Sequence, residues 1–205
     1  MAPMAPSSPM QQMAPMTADA VVFLLTWSLA MAAMMLPSEL PLFRLDYATV
    51  RSPVRTAVLG AGYLAVWVVL GGVVLLADRA ADGRLLGPHR GVTVALVLLA
   101  AAAYQLTPVK LRCLNVCRAP LARMFHGWRD GFGGAFRMGV ENGVWCLGCC
   151  AGLMVALLVL GMMSVGWMVA VALAIFLEKA TRVGIAASRV AAIALALGAV
   201  AAWST

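Results

Sequence analysis

Two short stretches hold all five cysteines of this 205-residue chain. Cys113-Leu-Asn-Val-Cys117 sets two thiols four residues apart, and Cys146-Leu-Gly-Cys149-Cys150 sets one thiol three and four residues before two others. On a helix, spacings of three and four put side chains on one face, so each stretch can present its sulfurs together. Thiolate is a soft ligand that selects copper(I), zinc or iron–sulfur clusters. Two thiols from each stretch would complete the four-sulfur tetrahedron that zinc prefers. Two or three soft ligands in a dry site suit copper(I) better, so copper is the expected metal and zinc the alternative. Buried cysteines also serve as small hydrophobes, but confinement of all five to two helical clusters favours ligation.

Other donors join these in register. Met31, Met34 and Met35 form a stripe that can add thioethers, although plain packing produces the same stripe. Met1, Met4, Met10, Met13 and Met16 lie in a charge-free, proline-bearing segment, where spaced thioethers could capture copper(I). Glu141 and Glu178 sit at the ends of apolar runs, as boundary charges, a proton relay, or acceptors that hold a ligand in place; Glu178 is also in reach of Arg189. Gln105 and Lys110 flank the end of the third apolar run and could orient a cluster ligand. His89 and His126 are isolated and read as surface residues. The expected ligand set is Cys113, Cys117, Cys146, Cys149, Cys150, Met34, Met35 and Glu178.

The elements that must position these residues are apolar helices. The chain is 63% hydrophobic and 11% charged, where a soluble domain carries about a quarter charged residues. A membrane-spanning helix needs about 20 apolar residues, so about six of them leave room only for short connections. The expected architecture is all-α: a disordered Met/Pro-rich tail over 1–17, then a polytopic transmembrane helix bundle over 18–205 with about six spans. The first runs from Asp19 to Leu36 and stops at Pro37; the second covers Thr56–Ala77, the third Gly91–Leu106. The 35 uncharged residues from Gly143 to Leu177 would make one helix of about 53 Å, too long for a core of about 30 Å. They fold instead as a hairpin of two spans turning at Gly161, Ser164 and Gly166. The last span covers Gly184–Trp203. The connection VKLRCLNVCRAPLARMF interleaves apolar and basic residues, so part of it is expected on the membrane surface.

The net charge of +7 reflects topology rather than nucleic-acid binding. Connections 37–55, 107–141 and 178–183 carry eleven basic residues, against three at Arg79, Arg84 and Arg90 on the opposite side. That bias puts the first set in the cytoplasm and both termini outside. The expected location is the bacterial cytoplasmic membrane, with the lipid bilayer as surroundings and a metal-delivery or membrane-protein partner. The chain lacks H-E-x-x-H, a phosphate-binding glycine loop and a nucleophile elbow, so no enzyme class is assigned.

The sequence resembles a prokaryotic family of predicted metal-binding integral membrane proteins of unknown function. The likeness rests on Trp27 with Ala30-Met31-Ala32-Ala33-Met34-Met35-Leu36-Pro37, on Gln105-Leu-Thr-Pro-Val-Lys110, and on Cys113 through Cys117-Arg118-Ala-Pro120. It continues through Gly143-Val-Trp-Cys146-Leu-Gly-Cys149-Cys150, Leu153-Met154, Gly161-Met162, Trp167-Met168 and Glu178-Lys179, covering about residues 20–182. One departure is Ala151, where the family pattern often has tryptophan; it leaves the thiols intact and changes the wall beside them. The resemblance implies metal binding.

The expected function is a membrane protein that binds a soft metal through clustered cysteines, for handling or delivery. One alternative is a membrane thiol–disulfide oxidoreductase, since Cys146-x-x-Cys149 has redox spacing; a cytoplasmic location counts against it. The other is a non-catalytic helical subunit that packs through small residues.

Overall fold

A computed structural model of the chain describes residues 9–82, 91–161, 164–181 and 183–203, with the backbone alone for 9–18 and His126. Those residues form α1 (Pro9–Val50), α2 (Pro53–Ala80), α3 (Gly91–Gln105), α4 (Pro108–Cys117), α5 (Pro120–Gly127), α6 (Gly131–Gly161), α7 (Val165–Ala180) and α8 (Gly184–Trp203). There is no strand among them. The methionines at 1 and 4, His89 and Arg182 lie outside the described residues. Residues 9–17, read from sequence as part of the tail, form the first turns of α1.

Helix starts follow local chemistry. Ser52 and Thr107 cap α2 and α4, each accepting from the backbone N–H three residues on, and proline fills the first helical position of both. Arg51, in left-handed backbone (φ 54°), turns the chain out of α1. The hairpin expected between Gly143 and Leu177 is present: α6 ends at Gly161, and Ser164 precedes α7.

One expectation is corrected. α1 does not stop at Pro37 but runs to Val50. The missing N–H weakens that turn, and the Ser38 hydroxyl donates to the Met35 carbonyl there (2.8 Å). Tertiary contacts carry the helix onward, because Glu39, Leu42 and Asp46 beyond the proline are all buried. The segment from Val109, part of it expected on the membrane surface, divides into two helices. α4 bends 63° away from α3 and buries Lys110, Cys113 and Leu114 against its neighbours. α5 turns Met124 inward and leaves the apolar Leu121 and Phe125 exposed.

α6 is the centre of the bundle, contacting α2, α3, α4 and α7. Half of its most apolar stretch (50%) is buried, against 22% to 28% in the other long helices. Four helices are long and apolar enough to cross a membrane: Asp19–Val50, Pro53–Ala80, Gly131–Leu160 and Gly184–Trp203, with the bent α3–α4 pair a fifth candidate. α7, a sixth expected span, has 16 residues. The bundle is apolar outside, through Leu29, Val69, Leu76, Val190 and Leu197, while Asp46, Lys110, Asn142, Glu178 and Lys179 are buried.

The basic connections gather at one end. Arg55 pairs with Asp46, donates to the Arg129 carbonyl (3.0 Å) and lies 4.2 Å over the Trp128 ring. Arg118 donates to the Thr181 carbonyl (2.6 Å). Segments 37–55, 107–141 and 178–183 are thereby tied together.

Candidate metal centre

Close backbone approach sets the site. Gly139 and Gly143 lie four residues apart on α6 and face α2, where a Cβ at Gly139 would strike the Leu59 carbonyl and one at Gly143 would come 2.8 Å from Val66. Such small-residue seams let helices pack backbone to backbone. With α2 this near, the Tyr63 hydroxyl reaches Cys146 Sγ (3.0 Å). A second seam, Gly148 and Gly152, receives α3 and α4. The Tyr104 ring packs on Gly152, and its hydroxyl donates to the Gly148 carbonyl. Cys113 Sγ rests on Gly148, 2.7 Å from where a Cβ would stand. The two thiol groups, far apart in sequence, meet there.

Lys179 supplies the charge. Its ammonium donates to Glu39 (2.6 Å), to Cys146 Sγ (2.9 Å) and to the Ser38 hydroxyl (3.3 Å), which uses all three of its protons. Asn142 Nδ2 donates to the other Glu39 oxygen (2.7 Å). A buried ion pair is tolerable only when its remaining hydrogen-bonding capacity is met. Here α1, α6 and α7 meet it jointly around one sulfur. Cys149 and Cys150 turn back along the helix, both thiols donating to the Cys146 carbonyl (3.1 and 3.0 Å).

The expected site residues divide accordingly. Cys113, Cys146, Cys149, Cys150, Met34 and Met35 share one buried cluster with Met31, Trp27 and Trp67, and Cys117 packs at its margin. All five cysteines are unpaired thiols. Glu178 is not with the sulfurs and does not pair with Arg189. It accepts from Lys110 through both oxygens (2.8 and 2.9 Å) and from Gln105 (3.3 Å), fastening α7 to α4 and α3. Glu141 lies at the basic end, paired with Arg129 and Arg137. Among the described residues, no three His, Cys, Asp or Glu side chains stand close enough together to hold a metal ion. The four-sulfur tetrahedron is therefore not assembled. Cys113 is seated on Gly148, Cys146 is held by Tyr63 and Lys179, and Cys117 stays outside.

Sequence reasoning missed Glu39 and Tyr63. Ending the first helix at Pro37 hid the stripe Met31, Met35, Glu39, which is plain once α1 is continuous. Leu59, Tyr63 and Trp67 form the matching buried stripe on α2, and a hydroxyl on such a stripe needs a buried partner.

Among the described residues the helical bundle pools thiols and thioethers in its core beside a buried ammonium, donors of the softness that copper(I) favours. The family model PpoB2, described as copper chaperone, matches residues 24–202, and the chain belongs to that family. No curated protein and no solved structure matches it.

Proposed function

We propose that the chain is an integral protein of the bacterial cytoplasmic membrane that holds copper(I) on buried sulfur and delivers it to an acceptor. The observation that carries this reading is the cluster itself: Cys113, Cys146, Cys149 and Cys150 packed with Met34 and Met35. Copper(I) favours few, soft ligands in a dry pocket, which this donor set offers; zinc would want a closed tetrahedron. Membership of a copper chaperone family supports the same metal. The apolar exterior supports the membrane, because buried ion pairs beneath an apolar surface invert the usual soluble arrangement.

In this reading copper(I) draws Cys146, Cys149 and Cys150 out of their resting hydrogen bonds to become the principal ligands, Cys113 adds a thiolate across Gly148, and Met34 and Met35 supply weak thioethers. Tyr63 and Lys179 hold Cys146 in position. The basic end faces the cytoplasm and both termini face outward; an impermeant thiol reagent should reach that end in inverted vesicles and not in intact cells.

The test is anaerobic copper(I) competition on purified protein, wild type against Cys146→Ser/Cys149→Ser/Cys150→Ser. Wild type should retain copper(I) against a chromophoric chelator and the triple variant should release it. Equal retention by both sinks the proposal.

A further inference from the structure

Exposure falls stepwise along the thiols. Cys117, at the end of α4, is part-exposed. Cys113, one turn earlier, is 8% exposed; Cys149 and Cys150 are 1% exposed, and Cys146 is 0%. Cys117 and Cys113 share a face of α4, and Cys113 sits on Gly148, next to Cys149. A cavity of about 200 Å³ opens at this end between α1, α4, α5 and α6, lined by Leu42, Val116, Arg123, Met138, Glu141 and Trp145.

In the other direction the sulfur column closes. One further turn brings the thioethers of Met31 and Met154; beyond them the core is Trp27, Trp67, Leu157 and Val171, all buried. Trp27 Nε1 donates to the Trp67 carbonyl (2.8 Å), and its indole ring lies where a Cβ on Gly71 would be. Among the described residues that lock stands across the far half of the core, where Met168 is the thioether packed at the margin of the cluster.

We propose that Cys117 is the exchange thiol through which copper(I) both enters and leaves, handing it to and from Cys113, the outermost ligand of the buried site. On this route the site loads and empties at the end where Cys117 is part-exposed. This rests on the copper-holding reading above and adds the route. Each step is ligand exchange without change of oxidation state. A Cu–S bond forms at the receiving sulfur, which gives up its proton. A Cu–S bond at the releasing sulfur breaks, and that sulfur takes a proton up.

A residue on the path but outside the resting site has a kinetic signature. Its removal must slow loading and unloading by one factor, because both directions cross the same barrier. The full-length protein, in detergent under anaerobic conditions, is mixed with copper(I)-bathocuproine disulfonate to load it and with the free chelator to unload it. Cys117→Ser should slow both rates on the order of tenfold, with their ratio unchanged within about twofold, and Cys117→Met should recover much of the loss because a soft donor returns. Unchanged rates overturn the proposal. So does a change in unloading alone, which would make Cys117 a resting ligand. Wild-type protein provides a check independent of the variant's folding: brief maleimide treatment without copper should modify Cys117 first and block loading. Modification of Cys117 that leaves loading intact also overturns it. Wild type that takes up no copper would instead defeat the copper-holding reading.

Discussion

Lys179 is the residue on which the buried polar network depends. It joins Glu39 to Cys146, and without it the Glu39 carboxylate stays buried with Asn142 as its remaining donor. Breaking one side of such a pair costs about 3–5 kcal/mol, whereas replacing both sides is far milder. Lys179→Met should therefore lower the thermal unfolding midpoint sharply, and Glu39→Gln/Lys179→Met should recover most of the loss; a double variant no better than the single would contradict the pairing. The thiols, the methionine stripe and Lys110 were legible at this scale, because unusual residue types stand out in an apolar chain. Glu39 was not, since its place depends on helix continuity through Pro37. Nor was the partner of Glu178: Arg189 lies closer in sequence, but only the bend between α3 and α4 brings Lys110 to the carboxylate.

Helices α2 and α6 determine whether Tyr63 can reach Cys146. Their seam leaves no room at Gly139 for a side chain, since a Cβ there would meet the α2 backbone rather than a movable side-chain end. Gly139→Leu should cost at least about 1–3 kcal/mol by overpacking and weaken copper binding by about tenfold or more through loss of the support on Cys146. Stability and affinity are measured on the same preparation, and a variant with wild-type values of both would refute the seam's role. The borders of α3, the α6–α7 hairpin and α8 were readable from glycine, proline and serine. The path of α4 was not, because a short mixed segment reads equally well as a surface helix or as a buried one. Its burial is decided by Glu178 and Gly148 on other helices.

At the scale of the molecule, hydrophobicity identified an apolar helical chain, with four or five candidate spans where about six were expected, and the charge bias anticipated that three basic connections share one end. Those connections are held together by Arg55, Arg118 and their carbonyl acceptors. The sulfurs reach inward from this end, so the proposed site lies between the polar end and the apolar half of the bundle. The meeting of Cys113 with the second thiol group depends on the α4–α6 contact at Gly148, which neither composition nor periodicity encodes. Copper K-edge X-ray absorption on anaerobically loaded protein tests the central claim most directly. The account predicts copper(I) bound by two or three sulfurs, with that shell lost in Cys146→Ser/Cys149→Ser/Cys150→Ser; a shell of nitrogen and oxygen, or one unchanged in the triple variant, would contradict it.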